Sequence, residues 1–132
     1  MFDSNIDINF KDTQIISMIV RGIPSIYRSV IWPKLIENVH GITLNFYQIL
    51  IKKATLYLNT KEIDVSPDRQ RMVRQLKMIE QDIERTFPDL KVFRKDSDQG
   101  QYLFNMLTSW TVFREDIGYM QGMSQIAGML LL

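Results

Sequence analysis

The sequence predicts an all-α fold, and three observations carry that prediction. Apolar residues recur at helical spacing almost throughout, and no stretch alternates like a strand over several residues. Capping residues and prolines stand where such runs begin, and glycines stand where they end. The composition, 132 residues with 45% hydrophobic and 23% charged, is that of one ordinary globular domain rather than a disordered chain. The pattern yields about seven short helices, with no repeat and no low-complexity tract.

In DTQIISMIVRG, Asp12 or Thr13 caps a short helix that Gly22 stops. Pro24 opens the next run, IYRSVIW. Pro33 is expected to interrupt it and restart it as PKLIENV, which Gly41 ends. Thr43 caps LNFYQILIKKATLYLN, where Phe46, Leu50, Ala54 and Leu58 recur four apart. TKEIDVSPD is a polar loop. Ser66 and Pro67 then form an N-cap and first turn for a helix running to about Arg85. Pro88 forbids its smooth continuation, because proline lacks a donor and restricts the residue before it. KVFRKDSDQG reads as a charged loop ending in glycine, QYLFNMLTSWTVF as an apolar and aromatic helix, and REDIG as its break. The last helix is expected to begin with YMQGMSQIAGMLLL.

Composition also excludes classes of function. A net charge of +1 argues against a nucleic-acid groove or a strongly acidic partner. Without cysteine there is no disulfide scaffold and no thiolate metal site. His40 is the one histidine, so no metal site of its own is expected. The N-terminus MFDSNIDINFKD lacks the basic and apolar regions of a secretory signal. No apolar run reaches the roughly 18 residues of a membrane span. The terminal AGMLLL ends on no polar cap or stop signal, so the chain is expected to stop inside a larger domain. The basic run DRQRMVRQLK reads either as a contact for an anionic partner or as a solvated helix face, and the second is the commoner case. The 8 methionines are expected to fill core gaps.

Two short stretches bear on chemistry. At about 100° per residue, Met72, Leu76, Ile79 and Ile83 fall on one narrow stripe, the core face of their helix. Asp82 lies to one side of it and Arg85 well round the back. Three residues apart, the two are surface neighbours, and a carboxylate there can orient a guanidinium. In the last segment, Tyr119, Met123, Ile126 and Leu130 form the expected apolar stripe, and Gln121 points away from it. Gly118 and Gly122 leave room for another backbone to approach. Arginine can neutralise a transferring phosphoryl group, and a glutamine amide can orient water. On residue types alone, an ordinary surface is the commoner reading of both side chains: an arginine near a helix C-terminus is favourable with the dipole in any case, and a glutamine early in a helix is unremarkable.

Three motifs add a resemblance. Ile79-x-x-Asp82-x-x-Arg85, followed by Thr86-Phe87-Pro88, resembles the arginine-finger motif of TBC-domain GTPase-activating proteins. Tyr119-x-Gln121-Gly122-Met123 resembles their glutamine-finger motif. RGIPSIYRSVIW, with Arg21, Gly22, Pro24, Arg28 and Trp32, resembles the family's opening. The resemblance covers nearly all of the chain from Arg21, with 1–20 as a lead-in and 21–132 as the N-terminal part of the domain, its C-terminal helices absent. It implies an activator of GTP hydrolysis by Rab-family small GTPases, acting on their GTP-bound state and so on vesicle trafficking, not itself a hydrolase. Arg85 would contact the phosphates and Gln121 would position the water. Asp82, Thr86, Tyr119 and Gly122 would support them, and Arg21 and Trp32 would have buried polar and packing roles. GTP and magnesium would come with the partner. The location implied is cytoplasmic, peripheral on endomembranes through the Rab. One departure stands out: where the family often has a proline before Gly118, this chain has Glu115 and Asp116. The alternative is a catalytically silent helical scaffold that binds a small GTPase or adaptor.

Overall fold

A computed structural model describes residues 11–59 and 66–132. All regular structure among them is helical, in six α-helices and one 3-10 turn. The chain divides into two compact units, 1–42 and 43–132.

In the first unit, Asp12 caps α1 (Thr13–Arg21), its carboxylate accepting from the Gln14 amide at 2.8 Å. Gly22 ends α1 with φ at 111°, a conformation glycine adopts without strain. α2 (Ser25–Ile36) follows Pro24. Pro33 does not interrupt α2, contrary to the expectation, and Gly41 is not its end. Proline holds a helical φ, and the amide bond it cannot donate falls on an exposed turn where water can satisfy the freed carbonyl of Ser29. The helix instead stops at Glu37, whose φ is +57°. Neither helix buries a residue. Arg21 is exposed, so its expected buried role is not met, and Trp32 is half-buried. The Arg28 guanidinium lies 5.6 Å from the Trp32 ring while its Nε donates to the Ile23 carbonyl at 2.9 Å. That contact ties the RGIP turn to α2.

The second unit contains α3 (Leu44–Asn59), α4 (Pro67–Ile83), the 3-10 turn Pro88–Leu90, α5 (Asp98–Phe113) and α6 (Met123–Leu131). α5 is central: it packs on α3, α4 and α6, and α4 also touches α3 and α6. Thr43 and Ser66 cap α3 and α4 as expected, accepting from the amides of Phe46 and Arg69. The core joins Leu50 and Ala54 of α3, Met72, Leu76, Ile79 and Ile83 of α4, and Leu103, Leu107 and Val112 of α5. Leu76 and Ile79 are fully buried. Each such side chain contributes about 1.5–3 kcal/mol through removal from water. Buried hydroxyls in α5 are satisfied locally: Thr111 donates to the Leu107 carbonyl at 2.8 Å and Ser109 to that of Met106 at 2.9 Å.

Four expectations need correction here. α5 begins at Asp98, capped by Ser97, so Gly100 is helical rather than the end of a loop. A Cβ at Gly100 would collide with the Arg94 carbonyl, and its absence lets the preceding loop fold over the helix. Phe46 and Leu58 are exposed at the ends of the α3 stripe. Methionine is mostly not core filling: Met72 is in the core and Met106 and Met123 pack on it, but Met18, Met78, Met120 and Met129 are exposed. Finally, α6 begins at Met123, because Gly118 and Gly122 hold φ of 71° and 96° and keep 118–122 out of the helix. Its buried face is Ser124, Ala127 and Gly128, while Ile126 is 68% exposed and Leu130 is also exposed. Small residues win because the helix lies close to its neighbours. A Cβ on Gly128 would come within 2.9 Å of Thr86 and 3.1 Å of Phe93.

Candidate functional site

The site forms where the end of α4 meets the turn leading into α6. Asp82, on the last turn of α4, is buried rather than turned to solvent. The reason is the chain above it. Tyr119 is buried and donates its hydroxyl to Asp82 Oδ2 at 2.9 Å. Burial first, and the bond to the Asp82 carboxylate after it, push the tyrosine up to about 12, against an opposing hydrogen bond with Ser124. Tyr119 therefore keeps its proton, and remains a donor, across the physiological range.

Beyond Asp82 the helix tightens. The amide of Arg85 donates to the Asp82 carbonyl at 3.1 Å, and Thr86 Oγ1 donates to the same oxygen at 2.8 Å. Thr86 is buried, and Phe87 with a φ of +47° turns the chain into Pro88–Leu90. This leaves Arg85 on a fixed backbone with its side chain 65% exposed. Its Nη1 is 4.0 Å from Asp82 Oδ1, the outer limit of an ion pair, so the carboxylate biases the guanidinium without immobilising it.

Gln121 projects from the turn between Met120 and Gly122 and is exposed. It makes no side-chain hydrogen bond among the described residues. Asp82, Arg85, Gln121, Gly122, Ser124 and Gln125 line one shallow cleft of about 160 Å³. Gln125 bridges its walls, Nε2 donating to the Arg85 carbonyl at 3.3 Å. A Cβ at Gly122 would meet nothing within 4 Å, so its outer side is open to an incoming chain. Thr86 and Tyr119 stand behind the cleft rather than in it. Arg21, Gly22, Pro24, Arg28 and Trp32 belong to the first unit.

The turn is braced from below. A Cβ at Gly118 would collide with the Gln75 carboxamide, so the glycine seats directly on α4. Arg114 and Asp116 form a two-point pair at 2.9 and 2.7 Å, which draws the Asp116 carboxyl down to about 2. Lys53 of α3 reaches Glu115 at 2.8 Å. The two acids that replace a proline before Gly118 are thus both engaged. Reasoning from the sequence missed Gln75, Arg114, Ser124 and Gln125 as members or supports of the site. Only Gln125 left a signal, its spacing of four from Gln121.

Chemically, the cleft offers one exposed guanidinium and one free carboxamide to the same incoming group, with a buried carboxylate behind. Among the described residues no three metal-ligating side chains converge, and no helix is long and apolar enough to cross a membrane.

Comparison with known proteins identifies the domain family. The Rab-GTPase-TBC domain profile matches residues 25–132. TBC1 domain family member 12 of Mus musculus is 33% identical over 121 residues, covering 85% of this chain and 17% of its own length. TBC1 domain family member 14 of Homo sapiens is 32% identical over 123 residues, with the same coverage. Rab GTPase-activating protein eat-17 of Caenorhabditis elegans is 30% identical over 132 residues, covering 96% of this chain and 12% of its own length. The chain therefore spans less than a fifth of these relatives. No solved structure matches it. With the domain profile extending over most of its length, the chain belongs to the Rab-GTPase-TBC domain family.

Proposed function

We propose that this chain accelerates GTP hydrolysis by a Rab-family small GTPase, supplying Arg85 and Gln121 in trans. The observation that carries the reading is their placement: both side chains are exposed and open to one cleft, each on a backbone held from behind. Family membership supports the activity, and the relative described as a Rab GTPase-activating protein supports the substrate class.

In the transition state of phosphoryl transfer, negative charge spreads over the transferred group and the leaving oxygen. A guanidinium brought against it neutralises that charge without needing to reorganise. Arg85 takes that role, with Asp82 limiting the arcs its fork can sample. The Gln121 carboxamide, donor and acceptor at once, orients the attacking water by accepting a hydrogen bond from it while donating one to the phosphoryl oxygen. Tyr119 and Thr86 hold the two backbones, and Gly122 leaves space for the partner's loops. GTP and magnesium belong to the GTP-bound partner. The protein is an activator and not itself a hydrolase. Its work on a Rab places it in vesicle traffic, recruited to endomembranes through that partner.

The test is phosphate release from a panel of GTP-loaded Rab GTPases at catalytic amounts of the protein. Arg85→Ala should keep the fold, since the side chain is mostly exposed, and lower stimulation by roughly a thousand- to a hundred-thousand-fold, about 4–7 kcal/mol of barrier. Gln121→Ala should act alike. Full stimulation by Arg85→Ala would overturn the mechanism. Binding across the panel without stimulation by the unaltered protein would establish the silent scaffold instead.

A further inference from the structure

The basic run of α4 takes no part in the cleft, yet its exposed side chains line up with it. At about 100° per residue, Arg71, Arg74, Met78 and Gln81 share a stripe about 80° wide, on the side of α4 away from Met72, Leu76, Ile79 and Ile83, and Arg85, on the turn just after the helix, continues it. All five are exposed, Met78 to 41%. The side chains of Arg71, Arg74 and Gln81 have no ion pair or hydrogen bond among the described residues. Arg71 does border a small cleft with Asp68 and Glu115, which leaves Arg74 as the cation nearer Arg85 and apart from that cleft. Two other cations of this region are engaged: Arg69 lies over the Tyr57 ring at 5.8 Å and Lys95 pairs with Glu80 at 3.7 Å.

Distance decides what this stripe can touch. A helix rises about 1.5 Å per residue, so Arg74 lies about 16 Å from Arg85 along the axis and Arg71 about 21 Å. A standard interface covers about 800 Å² on each partner, a patch of about 16 Å radius. Any protein that centres on Arg85 therefore reaches Arg74 at its rim, with Arg71 just beyond.

We propose that the stripe headed by Arg74 is a second contact for the small GTPase, matching an acidic patch on its surface about 16 Å from the point where Arg85 enters. The proposal rests on the reading of Arg85 and Gln121 given above. The partner is the GTPase and not a membrane, because the stripe shares a face with Arg85: a lipid surface lying on Arg71 and Arg74 would crowd the approach that Arg85 needs. Cations at a rim act on encounter more than on the bound state, so their signature is the association rate and its response to salt.

The experiment measures kcat and KM for stimulated hydrolysis on the Rab panel, at low and at physiological salt. It compares the unaltered protein with Arg74→Glu, Arg71→Glu/Arg74→Glu and Lys52→Glu, the last an exposed control on α3. Arg74→Glu should lower kcat/KM about five- to tenfold through KM, with kcat held, and flatten the salt dependence. The double reversal should lower it further, and Lys52→Glu should match the unaltered protein. An Arg74→Glu effect no larger than that of Lys52→Glu overturns the proposal, as does a fall in kcat at unchanged KM. Binding to phosphatidylserine vesicles that Arg74→Glu abolishes, with kcat/KM intact, overturns it in favour of a membrane contact. Stimulation that Arg85→Ala abolishes and Arg74→Glu leaves untouched overturns this proposal alone. No stimulation by the unaltered protein on any Rab overturns the underlying reading and this one with it.

Discussion

Arg85 and Gln121 face the same cleft but are held there by different means. Arg85 sits on the turn directly after α4, whose stripe of Met72, Leu76, Ile79 and Ile83 is anchored in the core. Its backbone continues from the anchored helix through one tightened turn, the Arg85 amide donating to the Asp82 carbonyl at 3.1 Å. Gln121 sits on a turn outside any helix, between glycines with positive φ. Its position is the sum of separate attachments: Gly118 on Gln75, Tyr119 on Asp82, Arg114 on Asp116 and Lys53 on Glu115. A helix spreads its support over many apolar contacts, each replaceable; a braced turn concentrates it in a few polar ones. The glutamine side of the site should therefore be the easier to damage from a distance.

Gly118→Ala is the strongest way to test that difference. An alanine at φ 71° bears a left-handed strain of about 1–2 kcal/mol, and its methyl group drives the Gln75 carboxamide off its seat. The turn then shifts, and a displacement of about 1 Å can cost on the order of a hundredfold in rate. We expect stimulation of a Rab to fall to that extent while the thermal midpoint drops by only a few degrees. Adding Gln75→Ala removes the collision but not the strain, so it should restore part of the rate. A Gly118→Ala protein with full stimulation would show that the turn is positioned from elsewhere.

The same contrast explains what could be read in the sequence. The α4 stripe was legible because four large apolar residues at helical spacing have one way to be buried. The caps at Asp12, Thr43 and Ser66 were legible because each is a local bond between neighbours. Neither kind of signal exists for the turn. Asp82 looked like a surface acid on its wheel, yet it is buried and bonded by Tyr119, 37 positions later. The α6 wheel misled because its large apolar residues spread over most of the helix, and close packing against Thr86 and Phe93 selected the small ones. Long-range pairings and steric limits of this sort leave no periodicity. The cleft's members Arg85 and Gln121 were visible as motif residues, while its supports Gln75, Arg114 and Ser124 were not.

Tyr119→Phe probes the link between the two sides at smaller scale. It removes one hydroxyl and leaves the ring's packing intact, so the buried Asp82 loses its donor. Hydrogen bonds to charged groups are worth about 1.5–3 kcal/mol, and denaturant unfolding should show a loss of that order without a change in slope. The effect on stimulation should exceed that of a comparably destabilising core change away from the site such as Leu50→Ala on α3, because Asp82 stands beside Arg85 as well as under Tyr119. Equal effects from the two variants would reduce the Tyr119–Asp82 bond to a purely structural one.

The smallest expected effect belongs to the Arg114–Asp116 pair, which is solvent-exposed. Asp116 has its folded value lowered from 3.8 to about 2, chiefly by the hydrogen bonds from Arg114. A carboxylate lowered on folding stabilises the folded state above its unfolded value, and that contribution disappears as pH falls from about 4 towards 2. Screening by water keeps it slight. Asp116→Asn should therefore leave stability near neutrality almost unchanged and should remove a small acid-sensitive component of the unfolding midpoint between pH 4 and 2. NMR titration of the Asp116 carboxyl reads the pairing directly, since a midpoint near 2 requires the arginine in place. A midpoint at the ordinary carboxylate value would mean that the pair is open in solution, and that Gly118 and Tyr119 hold the turn with help from Lys53 alone.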